Sequence, residues 1–191
     1  VSNGVTGVYG GGDTHPGGVI QNVIESFTMS TFGNASDFGD LTAARQLLSA
    51  NSNGHGGLQE QPQRAPELYS PTGTVVPRGS GAGQIGLIVG GEDGPGNDLT
   101  NVEFLIISTL GNSINFGDMD VGSRDHAAIS SSTRLLKGGS SSPSLSNAIG
   151  SIEFSTKGNG ANFGDLTEAR RNPGGFSNTT RGLFAGGSGT P

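Results

Sequence analysis

Three copies of one short motif govern what this chain can fold into. Ala35-Ser36-Asp37-Phe38-Gly39-Asp40-Leu41-Thr42-Ala43-Ala44-Arg45 returns as Gly160-Ala161-Asn162-Phe163-Gly164-Asp165-Leu166-Thr167-Glu168-Ala169-Arg170. A more diverged copy, Ser113-Ile114-Asn115-Phe116-Gly117-Asp118-Met119-Asp120-Val121-Gly122-Ser123-Arg124, lies between them. A motif reused at intervals marks a supersecondary unit that buries its apolar face against the next copy, so the chain reads as a repeat array. A second marker keeps the same step. Short apolar runs end in glycines at Gly10-Gly11-Gly12, Gly90-Gly91, Gly138-Gly139 and Gly186-Gly187. Gly91 to Gly139 and Gly139 to Gly187 are each 48 residues, and Phe116 to Phe163 is 47. From the first copy to the second the steps lengthen to 79 for glycine and 78 for phenylalanine, so the first unit carries an insertion of about 30 residues.

Within a unit the pattern is that of strands. The 36 glycines among 191 residues would suit a disordered chain, but Val, Ile, Leu and Phe recur in short clusters at regular intervals. That arrangement fits many short strands joined by glycine turns. Each unit runs from a glycine strand through a polar loop to a strand centred on an acidic residue, Glu25, Glu103 or Glu153. A Gly-Asn or Asn-Gly turn then leads to Phe-Gly-Asp and the Ala-Arg end. Three or four strands per ~48 residues match one blade of a β-propeller. The expected class is therefore all-β with propeller blades, as one repeat domain over 1–191. Repeat 1 spans 7–50, an insertion loop 51–84, repeat 2 85–134 and repeat 3 135–181, and 182–191 begins a further blade strand. Three units are fewer than the 4 to 8 blades of a closed ring, which leaves strand edges for another chain to cover.

The repeated residues are expected to be scaffold. Phe38, Phe116 and Phe163 are the apolar plugs, and Asp40, Asp118 and Asp165 accept hydrogen bonds from their own turns. Arg45, Arg124 and Arg170 cross to the next unit, with the fork on carbonyls or on its Glu. Gly90, Gly91, Gly138, Gly139, Gly186 and Gly187 let neighbouring strands approach.

The glycine doublet, the Val-Glu-x-Phe strand of Val102-Glu103-Phe104 and the Leu-Thr-x-Ala-Arg end resemble the kelch motif, with Phe in place of its Trp. The Phe-Gly-Asp-Leu-Thr-x-Ala-Arg form is similar to kelch-like repeat proteins of tailed bacteriophages. That resemblance covers all but the insertion. It implies β-propeller architecture and a structural role in the virion, in the tail, a fibre or a surface decoration. Recognition would fall in what varies, namely the loops after the doublets and the insertion, with His55, Leu58, Tyr69 and Arg78 as candidates. The expected partners are other copies or virion proteins and host-surface glycan. The alternatives are a self-assembling extracellular fibre subunit and, more remotely, a carbohydrate-active enzyme.

Other chemistry finds little support. With 10 basic against 16 acidic residues and a net charge of -6, the chain lacks the cations that bind nucleic acid. No apolar window reaches the ~18 residues of a membrane span. Val1 in place of an initiating Met points to a processed chain or a segment of a longer one. The absence of Cys removes disulfides, thiolate metal sites and a Tyr–Cys copper cofactor. His15, His55 and His126 fall in different repeat phases, which suits solvated loops better than a metal site. Glu25, Glu103 and Glu153 occupy one repeat position three times, whereas a catalytic pair needs unlike environments. The Glu92–Asp98 loop has oxygen donors for calcium but not the spacing of an EF-hand. No catalytic, metal or cofactor residue is expected.

Overall fold

The computed structural model describes residues 1–3, 5–53, 84–178 and 180–189, so His55, Leu58, Tyr69 and Arg78 lie outside the described residues. Among the described residues the chain is all-β and antiparallel, with no helix. The first unit runs β1 (Thr6–Gly10), a small hairpin β2 (Asp13–Thr14) with β3 (Val19–Ile20), then β4 (Val23–Thr28) and β5 (Ser36–Asp40). The second holds β6 (Ser49–Ser52), β7 (Ile85–Val89), β8 (Asn101–Ile106) and β9 (Ile114–Asp118). The third holds β10 (Ala127–Ser130), β11 (Arg134–Ser140), β12 (Ser146–Glu153) and β13 (Ala161–Asp165). β14 (Gly174–Ser177) and β15 (Gly182–Ala185) pair alone. Sheet orders are β1-β4-β5, β6-β7-β8-β9, β10-β11-β12-β13 and β14-β15, with β2-β3 apart. Asn51 and Ser52, at the edge of the expected insertion, belong to strand β6.

The sheets pack face to face because their strands alternate apolar residues on both sides. Val8, Ile24, Phe38 and Leu41 of the first unit form one core with Ile88, Leu105 and Ile107 of the second. The other face of the second sheet offers Leu87, Val89, Val102, Phe116 and Met119 to Leu135, Ile152 and Phe154 of the third. β7 is accordingly buried along nearly its whole length, the pattern of a strand covered on both faces.

Strand register identifies equivalent positions and corrects three sequence alignments. A bulge follows Ile24, Val102 and Ile149, opposite Gly39, Gly117 and Gly164. The next residues, Glu25, Glu103 and Gly150, are therefore equivalent. Glu153 is not the third glutamate of the series; it lies three residues further along β12, half exposed, against Arg134. The first glycine with left-handed φ before each loop is Gly11, Gly90, Gly139 or Gly186. In the third unit the pair equivalent to Gly90-Gly91 is thus Gly139-Ser140, not Gly138-Gly139. Leu47, Asp125 and Asn172 share a left-handed φ near 50°, each two residues after Arg45, Ser123 and Arg170. Ser123, not Arg124, is the partner of those arginines, because the second motif holds one extra residue between Phe and Arg. Each of Arg45 O, Ser123 O and Arg170 O lies where a Cβ on Gly11, Gly90 or Gly139 would be, at 2.6–2.7 Å, so these positions exclude any side chain.

Candidate functional site

The chemically interesting groups converge at the junctions between units. At the first junction Arg45 and Glu103 are both fully buried and form an ion pair. Arg45 Nη1 also donates to Gly90 O at 3.2 Å. The Glu103 carboxylate accepts further bonds from Thr42 N–H (3.0 Å), Asn101 Nδ2 (3.1 Å), Thr42 Oγ1 and Ser113 Oγ. Burial pushes the Arg45 guanidinium below its ordinary value, and the Glu103 charge opposes that. The expected reach of the arginine to a carbonyl and the Glu of the next unit is met here. A carboxylate so fully engaged has no lone pair left for a substrate.

Two further contacts repeat across the junctions. The Asp40 N–H donates to Asn112 Oδ1 (3.0 Å) and the Asp118 N–H to Asn159 Oδ1 (3.1 Å). The motif glycine lies under the same turn, since a Cβ on Gly39 would meet Gly111 at 2.5 Å and one on Gly117 would meet Gly158 O at 2.1 Å. The Asp118 carboxylate binds Thr100 Oγ1 (3.0 Å) rather than its own turn. A serine ladder links the first strand of each unit: Ser52 Oγ donates to Ser2 O (2.7 Å), Ser130 Oγ to Ser52 O (2.5 Å) and Ser177 Oγ to Ser130 O (2.7 Å). Sequence reasoning missed this ladder. Its signal was the serine recurring before each turn, as Ser2-Asn3, Ser52-Asn53, Ser130-Ser131 and Ser177-Asn178.

The second junction departs from this scheme. Ser123 stands where the arginine was, and Gly150 where the glutamate was. Met119 Cε occupies the space of the missing Cβ, at 2.4 Å from its position. A cation enters from the opposite side. Lys137, at the position of Ile88, is buried and donates from Nζ to Ser123 Oγ (2.7 Å) and Val121 O (3.4 Å). Burial lowers the Lys137 pKa, and Asp120 opposes that. His126 is buried too, contrary to the expectation of a solvated loop. Its Nε2 meets Val89 O at 3.2 Å and its Nδ1 meets Ser123 Oγ at 3.5 Å. Burial and the nearby Lys137 charge push its pKa down to about 3, so the ring is neutral at pH 7. Beside this cluster is a cavity of about 290 Å³ lined by Asp120, Lys137, Ser140, Ser142, Asn162 and Asp165.

Other predicted residues are placed as follows. Phe38 and Phe116 are 4% and 7% exposed plugs, but Phe163 is 51% exposed, because β14 and β15 cover only part of the third sheet. Arg170 Nη1 reaches Gly186 O (2.9 Å), as Arg45 reaches Gly90 O, and its Nη2 meets the exposed Glu168 at 3.3 Å. Arg124 pairs with Glu92 and Asp98, so a guanidinium holds two carboxylates of the loop considered for calcium. His15 is exposed. No protein-family model matches the chain, and no curated protein is significantly similar to it.

Proposed function

We propose that this chain is a non-enzymatic structural and binding protein of a bacteriophage virion, built of kelch-like β-propeller blades and exposed at the tail, a fibre or the particle surface. The observation that carries the non-enzymatic part is the engagement of Glu103, whose two oxygens accept five hydrogen bonds inside a buried junction. The repeated acids and bases serve the stacking of units. Variation is concentrated at the second junction, where a loop following a glycine doublet (Ser140–Ser144) borders the Lys137 cavity. Hydroxyls, an amide, the Asp120 and Asp165 carboxylates and one ammonium around a cavity of this size suit a sugar from a host surface. Fold alone does not establish binding, so the reading is tested directly. The purified chain is titrated with host-surface polysaccharide fragments, and Asn162→Ala and Lys137→Met weaken the binding if the cavity is the site. Equal binding by both variants would remove the cavity from the reading, and binding to no polysaccharide would remove the glycan. A self-assembling extracellular fibre subunit is the second reading, favoured by the two uncovered sheet faces at the ends of the array.

A further inference from the structure

Each end of the array exposes half of a junction that is complete inside it. The first sheet has a back face equivalent to the one that the second sheet buries. Tyr9 (61% exposed), Phe27 (44%) and Met29 (55%) stand at the positions of Ile88, Leu105 and Ile107, all buried. Glu25 stands at the position of Glu103, exposed, and its carboxylate makes no hydrogen bond or ion pair to any described residue. Gly33-Asn34 repeats Gly111-Asn112, with open space around Gly33. The third sheet has the matching front face. Arg170 is already seated on Gly186 O, and Phe163 is half exposed. Gly164 has nothing within 4 Å of its would-be Cβ, where Gly39 and Gly117 each receive a Gly-Asn turn.

We propose that these faces bind one another between copies of this chain, head to tail, with Arg170 of one copy buried against Glu25 of the next. Asn34 then accepts from the Asp165 N–H as Asn112 does from Asp40. The pairing sets Arg170 and Phe163 against Glu25, Phe27 and Met29, with Phe184 taking the place of Tyr9 after the exchange described next, so charge and apolar surface are complementary. It also continues an existing interface rather than creating a new kind.

One overlap has to be resolved by exchange of strands. Residues 1–10 and the β14–β15 hairpin are the same element of a unit: Ser2 bridges Gly7 as Ser177 pairs with Gly182. Only one of them fits at the new junction. Among the described residues β15 has an unpaired edge, and its Gly182-Leu183-Phe184-Ala185-Gly186-Gly187 matches Gly7-Val8-Tyr9-Gly10-Gly11-Gly12 in size position by position. β14 and β15 of one copy therefore replace residues 1–10 beside β4 of the next, which is domain swapping between identical elements. The serine ladder then continues, with Ser52 Oγ of the incoming copy donating to Ser177 O.

The choice of a second copy as partner rests on the self-assembling reading above and not on a virion location. The test is light scattering of the full chain across a concentration series, with two charge variants. Wild type forms concentration-dependent oligomers. Glu25→Arg and Arg170→Glu each associate at least roughly 100-fold more weakly, as expected when one member of a buried pair is reversed. An equimolar mixture of the two restores assembly, because every junction in an alternating chain then pairs opposite charges. Restoration also proves that both variants are folded. Asn34→Arg, at an exposed turn, weakens assembly independently. A wild-type chain that remains monomeric throughout the series, variants that assemble like wild type, or a mixture that stays dissociated would each overturn the proposal. Glycan titration of the monomeric Glu25→Arg variant separates this outcome from that of the binding reading, since Glu25 lies in the first unit and the Lys137 cavity is lined by the second and third, whereas the Arg170 backbone bonds Ser140 and Ser146 of the cavity wall.

Discussion

Replacing Glu103 by Gln isolates the junction that most of the repeated chemistry serves. The substitution keeps the shape of the side chain and removes its charge. Arg45, with no exposed surface, then carries a buried positive charge without a counter-ion. Leaving one member of a buried pair alone costs about 3–5 kcal/mol. Geometry allows little relief. Thr42 N–H and Ser113 Oγ point at one oxygen, while Thr42 Oγ1, Arg45 Nη2 and Asn101 Nδ2 point at the other. The Thr42 and Ser113 hydroxyls can turn to accept, but whichever way the new amide turns its NH2 faces at least one group that only donates, Thr42 N–H on one side or Arg45 Nη2 and Asn101 Nδ2 on the other. A loss of that size is a large fraction of the roughly 5–15 kcal/mol that holds a typical domain together. Urea unfolding followed by far-UV circular dichroism measures it, since the chain has no Trp. In the dissociated chain Glu25→Gln, at the equivalent exposed position, should stay within about 0.5 kcal/mol. Arg45→Met combined with Glu103→Met should recover most of the loss, because it removes both charges from the dry site. A Glu103→Gln cost below about 1 kcal/mol, or an equal cost at Glu25, would refute a desolvated pair at this junction.

Three further outcomes follow from the same geometry. Phe38→Ala and Phe116→Ala should each cost about 3–5 kcal/mol, and Phe163→Ala about 1 kcal/mol or less, in parallel unfolding curves of the dissociated chain. Gly117→Ala should cost about 1–3 kcal/mol through overlap with Gly158 O, while Gly158→Ala, with open space around it, stays near zero. His126 is neutral in the fold down to a pKa of about 3 and takes a proton near pH 6.5 when unfolded. The unfolded state therefore binds more protons between these values, and stability falls as pH drops through that window by up to about 1.4 kcal/mol per unit. His126→Phe should flatten that slope. Lys137→Met, which removes the like charge, should raise the His126 pKa and move acid unfolding to lower pH, as read by NMR titration and by melting against pH.

The array was legible in the sequence because its markers are chemically costly to replace. Gly39, Gly117, Gly11, Gly90 and Gly139 sit where backbone from the next unit or the same turn leaves no room for a Cβ. Arg45 was legible for the same reason, since a long cation beside a unit end needs the next unit to bury it. Registration within the third unit was not. The Gly138-Gly139 doublet resembles Gly90-Gly91, yet Gly138 is an ordinary strand residue and the left-handed turn falls one residue later, at Gly139. Backbone conformation separates the two, and composition does not. Likewise Glu153 sits in a strand that looks like that of Glu103, but the bulge that fixes the register lies at Ile149-Gly150. Phe163 shares its motif with Phe38 and differs only in what covers it. The buried Lys137 carried no sequence signal, because its burial depends on Ser123 replacing an arginine on a neighbouring sheet.

One junction is repeated between units, and the front of the third sheet shows only part of it among the described residues. Amide hydrogen exchange at concentrations where the chain is dissociated tests it at three equivalent residues. The Asp40 and Asp118 amides, bonded to Asn112 and Asn159 of the following unit, should exchange at least about tenfold more slowly than the Asp165 amide, which has no such acceptor among the described residues. Equal exchange at all three would contradict the stacking of units on which the whole account depends.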